Sequence, residues 1–432
     1  MARTARKKKR WTVMVYLAGD NNLDGAGVAD LTEMKKVGST RDLSVVAQFD
    51  RAGDKRVTNR YVLQKDTPLA QDVVTALGET NTGDPAVLRD FVTWAAAEHP
   101  AAHYLLVIWN HGAGWDDSNL YAGDYFSGAA PPVIRKGALV PVRAKALLPV
   151  PPVRMGTVRA AFKRAPRSLF RSTVTSMLAS RAIAFDDQAQ DFLDNIELKR
   201  VLADVRRVLK QKIDVLGFDA CLMSMVEVAY QLRDSVGLIC GSEEEEPNEG
   251  WPYDTILGAL AAKPSMTPPE LAKLIVARYL ASYRPSDGVT LAASSAPAIA
   301  ALARAINGLG RALGVALADE AARSALVTVR AQVQEYSAPY DQYCDLGDLC
   351  SLLARHVKGP GVKPACDAVR AALGRAVIAS GARGPKVARS RGLSVYFPKK
   401  VVSPLYATLD FSKRSPWMSF IGAYTSSVSR RR

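Results

Sequence analysis

Residues 215–224 read Val-Leu-Gly-Phe-Asp-Ala-Cys-Leu-Met-Ser. The apolar run 213–218 ends on Asp219, Ala220 and Cys221, and helical spacing resumes over 222–233. Such a run suits a strand buried on both faces, as in parallel sheets covered by helices. Cys221 at its end has two readings. It is a packed core thiol, since unpaired cysteine is among the most buried residue types. Or it is a nucleophile, since ligands bind outside the carboxyl ends of parallel strands.

The rest of the chain supports a sheet of this kind. Residues 11–19, 43–50, 57–64, 104–109, 236–241 and 289–294 read as strands. Residues 23–37, 84–98, 192–210 and 271–283 carry helical spacing, with Asp84 as an N-cap and Pro85 at the first helical position. Strands alternating with helices argue an α/β fold: a mostly parallel sheet with helices on both faces. A mainly helical C-terminal part follows over 296–432, with a returning strand at 392–398. No internal repeat is evident.

Charge divides the chain further. The net charge of +15 is concentrated in two places. Residues 1–10 carry six Lys/Arg and no acid, and residues 125–185 carry eleven and no acid. The second segment also holds seven prolines, from Pro131 to Pro166. The expected organisation is a basic tail (1–10), a first part of the α/β core (11–124), an irregular basic insert (125–185), a second part of the core (186–295) and the helical region (296–432). Basicity of this size suggests nucleic acid or an anionic surface as partner. Here it sits in appendages with few aromatics, so stacked single-strand recognition is poorly supported. The expectation is no membrane partner and no nucleic acid partner.

Five cysteines form an odd, unpatterned set without a CxxC, and four histidines are scattered. This excludes a zinc ribbon and a disulfide framework, and no transition-metal site is expected. The basic N-terminus followed by apolar 11–18 mimics a secretory signal, but the run is short and lacks a small-residue cleavage site. The expected compartment is the cytoplasm.

Two strands end in reactive residues. Strand 104–109 runs into Asn110-His111-Gly112-Ala113-Gly114-Trp115, and strand 213–218 into Asp219-Ala220-Cys221. Parallel neighbours would bring His111 and Cys221 to one sheet edge. A helix N-terminus and a nearby imidazole favour a thiolate, and His111 can hand a proton to a leaving amine. Amides at Gly112 and Cys221 can form an oxyanion hole. Separately, a lone cysteine is usually core and a lone histidine usually solvated; together, at two strand ends of one sheet, they carry more weight.

These residues resemble a known family. Segments 11–23, 109–115, 217–224, Pro247-Asn248-Glu249-Gly250-Trp251 and Gly392-Leu393-Ser394-Val395-Tyr396-Phe397-Pro398 are together similar to the clostripain family of cysteine peptidases. The resemblance implies the caspase-hemoglobinase-like α/β fold and a His–Cys dyad on His111 and Cys221. It also implies cleavage after Arg or Lys, with Asp219 and Glu249 binding the cationic side chain; Asp219 alone could equally be a capping acid. Glu249 stands where the family favours Asp, which leaves Arg against Lys open.

The resemblance further implies self-cleavage between the histidine and the cysteine, which makes the basic insert a candidate activation segment. Calcium is a weaker implication. The run Glu243-Glu244-Glu245-Glu246 could hold it through hard oxygens, rim a cationic pocket, or be a solvated turn. Two rival functions stay open: a silent peptidase-like scaffold binding basic peptides, and a polyanion-binding protein acting through the tail and insert.

Overall fold

The computed structural model describes residues 8–21, 23–53, 57–110, 112, 114, 133–135, 138–140, 193–336, 342–413 and 415–429. Its centre is a nine-stranded sheet. The strands are β1 (Lys9–Gly19), β2 (Leu43–Arg51), β3 (Thr58–Val62), β4 (Val73–Gly78), β5 (Ala101–Trp109), and, beyond a short β6–β7 hairpin (Val133–Arg135, Ala138–Val140), β8 (Ile213–Asp219), β9 (Val236–Gly241), β10 (Thr290–Ser295) and, later in the chain, Val377–Ala382. The order runs Val377–Ala382, β10, β9, β8, β5, β1, β2, β3, β4. The five central strands are parallel, and both edges are antiparallel.

The central strands are apolar throughout because each faces two cores. Met14, Tyr16, Leu106, Ile108, Leu216 and Phe218 point into one, while Val13, Val15, Leu17, Val107, Trp109 and Val215 point into the other. Against the second face pack α1 (Asp24–Lys35), α5 (Tyr253–Ala262) and α6 (Pro268–Ser282). Against the first pack α2 (Pro85–Glu98), α3 (Asn195–Leu209), α4 (Val226–Leu232) and α7 (Ala296–Ala316). Behind α7 come α8 (Glu320–Gln332), α9 (Leu346–His356), α10 (Val362–Ala376) and α11 (Pro416–Ser429). Asp84 caps α2 as expected, accepting from the Ala86 amide at 2.8 Å with Pro85 next.

α7 is 21 residues long and apolar enough to cross a membrane by length and composition. Its Ile299, Leu302, Ile306, Leu309 and Leu313 lie in the core, which makes it a core helix.

Several boundaries differ from expectation. Lys9 and Arg10 belong to β1 rather than to a tail, because the Lys9 ammonium reaches the Thr40 and Leu43 carbonyls at 2.6 and 3.0 Å. Residues 1–7 and all of the insert except the β6–β7 hairpin lie outside the described residues. The C-terminal part is not purely helical. Val377–Ala382 closes the main sheet, and Glu335–Tyr336, Tyr343–Asp345 and Ser394–Tyr396 form a second, three-stranded sheet. Ser394–Tyr396 is the returning strand expected at 392–398, whereas Glu335–Tyr336 and Tyr343–Asp345 are too short to show a periodicity in sequence.

The expected helix at 222–233 starts late, at Val226. Met225 forms a parallel bridge with Ser394, and the Ser224 hydroxyl donates to the Gly392 carbonyl at 2.8 Å. These contacts hold 223–225 extended.

Candidate active site

β5 and β8 are parallel neighbours, and Trp109 stands opposite Asp219 at their carboxyl ends. The Asn110 amide donates to the Asp219 carbonyl at 3.3 Å. Gly112 comes closer still. A Cβ there would lie 2.1 Å from the Cys221 carbonyl oxygen and 2.9 Å from its nitrogen. Only glycine permits this contact, so the loop after β5 rests on the Cys221 backbone. His111 lies outside the described residues. Its described neighbours, Asn110 and Gly112, both touch the 219–221 segment.

Cys221 sits on a sharp turn and not on a helix end. Leu222 after it has φ +64°, a conformation that costs a bulky side chain about 1–2 kcal/mol. The turn is held from the other side by residues 242–246, which run alongside it. Ser224 and Leu222 donate their amides to the Ser242 and Glu244 carbonyls at 2.8 and 3.2 Å. The Glu246 amide then donates to the Cys221 sulfur at 3.1 Å.

Cys221 is 4% exposed, and burial pushes its thiol well above the usual range. The Glu246 amide opposes this, while the carboxylates of residues 244–246 add to it. The expected helix-dipole stabilisation of a thiolate therefore has no helix start beside the sulfur, and burial favours the thiol form.

Asp219 is buried beside it. Its Oδ2 accepts from the Tyr253 hydroxyl at 2.7 Å and the Trp251 amide at 3.3 Å. Burial raises its pKa to about 6 against these bonds. The Trp251 indole lies on Gly217 of β8, where a Cβ would come within 2.7 Å of the ring. That packing brings Pro247–Trp251 to Asp219. Gly250, with φ +57°, would place a Cβ 2.9 Å from Asp219 Oδ1, so close an approach again requires glycine. The same turn carries Glu249 outward. Glu249 is exposed, on a rim shared with Glu33, Tyr283, Arg284 and Asp287, and it does not meet Asp219.

Two other acids do surround Asp219: Asp30, which was not read from sequence, and Glu246, which was named only within the run 243–246 as a candidate rim of a cationic pocket. Glu246 brings its carboxyl against that of Asp219. Asp30 of α1 accepts from the Trp109 indole N–H at 2.6 Å, and its pKa is raised to about 9, first by burial and then by Asp219. The buried stripe Gly27, Asp30, Leu31, Met34 on α1 has helical spacing, and that spacing was the available signal for Asp30. For Glu246 there was none, because nothing in four consecutive glutamates says which turns inward. Among the described residues, no lysine or arginine pairs with Asp30, Asp219 or Glu246.

The acidic run does not converge on one point. Glu243 turns inward to accept from the Gly392 amide at 2.8 Å and meets Asp345, while Glu246 turns to Asp219. Among the described residues, no group of three or more His, Cys, Asp or Glu is placed to hold a metal ion. Glu243 and Glu246 therefore do not join in one calcium site. Asn21 makes turn bonds, to the Ala18 carbonyl at 3.0 Å and from the Leu23 amide at 2.9 Å. Asp24 pairs with Arg51.

A sequence model of the clostripain family matches residues 15–124 and 172–423. The chain belongs to the clostripain family. The gap in the match, 125–171, falls within the basic insert. Clostripain of Hathewaya histolytica is 25% identical over 284 residues, an alignment covering 59% of this chain and 43% of that protein. The chain thus spans less than half the length of this curated relative. Among solved structures, an inactive zymogen C11 protease from Parabacteroides distasonis shares the fold with TM-score 0.64 at 20% identity, covering 95% of this chain and 99% of that one. A secreted C11 cysteine protease from Bacteroides thetaiotaomicron, solved with an irreversible peptide inhibitor, gives TM-score 0.60 at 20% identity, covering 96% and 99%. These clostripain-family neighbours share the caspase-like α/β architecture of the central sheet.

Proposed function

We propose that this member of the clostripain family is a cysteine endopeptidase cleaving after arginine or lysine. The observation that carries the specificity is the group of buried carboxyls beside Cys221, which no lysine or arginine pairs with among the described residues. Burial favours the protonated form of these carboxyls in the empty pocket, and a guanidinium or ammonium from a substrate would favour their ionised form and pair with it.

Cys221 Sγ would attack the carbonyl carbon of the bond to be cut, while His111 accepts the thiol proton. The oxyanion would be met by the amides of Gly112 and Cys221. The C–N bond breaks as His111 returns the proton to the leaving amine, and water hydrolyses the thioester. Asp219 would receive the side chain of the residue before the cut. The insert 125–185, with eleven Lys/Arg, would be cut by the same site, and the cover over Cys221 supports latency before that event. The five cysteines, all buried and unpaired, support the cytoplasmic reading.

The test is hydrolysis of fluorogenic peptides ending in Arg, Lys, citrulline or Asp by the full chain, its Cys221→Ala variant and its Asp219→Asn variant. Cleavage after Arg and Lys is expected, lost with Cys221→Ala and weakened about 10- to 100-fold by Asp219→Asn, mostly in KM. Fragmentation within 125–185 should disappear with Cys221→Ala. Basic-peptide cleavage that survives Cys221→Ala would overturn the assignment.

A further inference from the structure

We propose that Glu246 is a specificity-determining residue: it forms, with Asp219, a two-carboxyl seat for the substrate's guanidinium or ammonium group, in the place that sequence resemblance gives to Glu249. The inference rests on the peptidase reading above and names the second ligand of its pocket.

Three observations carry it. The first is position. Glu246 lines the same cavity as Asp219, Cys221, Trp109 and Gly250, so one side chain can touch Asp219 while the scissile bond lies at the sulfur. The second is the state of its carboxyl. Both oxygens are buried, neither meets an N–H among the described residues, and the group against them is the Asp219 carboxyl. An acid so placed beside another acid is costly unless a cation or a shared proton lies between them. The third is the turn at Pro247–Gly250, closed by the Gly250 amide on the Pro247 carbonyl at 3.0 Å, which turns Glu246 inward and Glu249 outward.

The cavity holds about 30 Å³, room for roughly one water. Glu246 therefore fills the pocket when it is empty and must pivot when a long side chain enters. A planar guanidinium can then bond both carboxylates through its fork, whereas an ammonium acts as a point charge. Arginine should gain more from Glu246 than lysine.

The experiment compares Glu246→Gln, Glu246→Ala and Glu249→Gln in the full chain. Glu246→Gln should raise KM for Arg peptides about tenfold, with kcat within about threefold, and shrink the preference over citrulline by a similar factor. Glu249→Gln should change KM less than Glu246→Gln. If Glu246 only fills space, Glu246→Ala would lower KM for Arg peptides, and the inference fails. It fails equally if Glu249→Gln has the larger effect.

Should the wild-type chain hydrolyse no peptide, agmatine binding to the Cys221→Ala protein, followed by calorimetry, decides separately. An about tenfold weakening by Glu246→Gln sustains the seat, and unchanged or absent binding overturns it. Thermal melting of each variant checks that it is folded.

Discussion

Gly112 and Cys221 are in backbone contact, with the Cα of one facing the carbonyl and amide of the other. No side chain fits between them. The relation joins the end of β5 to the end of β8 more tightly than sheet pairing alone.

A methyl group there should therefore disable the site. Gly112→Ala must push the loop away from Cys221 and carry the residue-112 amide off the proposed oxyanion position. We expect kcat/KM on Arg peptides to fall about 100-fold or more, with near-native circular dichroism. Activity within threefold of wild type would show that the loop can yield.

The ligand-free thiol should be sluggish. Cys221 is buried, covered by the Glu246 amide and raised in pKa. Because the thiolate is the reactive species, its alkylation by iodoacetamide at pH 7.5 should run at least about tenfold slower than that of a free cysteine. Peptide mass spectrometry reads the rate at Cys221 itself. A rate equal to that of free cysteine would mean that the cover is open in solution.

Stability should rise on acidification. Burial raises Asp219 and Asp345 to about 6, Glu227 to about 7 and Asp30 to about 9. In the unfolded chain such groups titrate near 4. Between these limits the folded state binds more protons, so stability is full at the acid end and is lost as pH rises through each folded value. The melting temperature should increase from pH 8 to about pH 5.5. A flat or falling profile over that window would mean that these carboxyls are solvated.

The sequence made the strand ends readable and the pocket walls unreadable, for physical reasons. Runs such as Tyr104–Trp109 and Val215–Phe218 are apolar on both faces because they lie between two cores, and that pattern placed Asp219 and Cys221 at the sheet's edge. The turn at Leu222 was hidden. Its left-handed backbone is imposed by residues 242–246 and by Ser394, far away in the chain. Glu246 and Glu249 differ only in which side of a glycine turn they fall on, and a turn's facing direction has no local signature. Asp30 lay within reach of helical spacing. His111 was read from its loop, and it lies outside the described residues.

The pairing of β5 with β8 in mid-sheet bears on what a break in the chain would do. Any scission between Gly114 and Leu193 would leave Trp109 beside Asp219, with both strands flanked by further pairings. The product would be two polypeptides sharing the proposed reaction centre, Gly112 on the first and Cys221 on the second. Neither piece would be competent alone. Halves expressed from separate messages should then reconstitute a working whole.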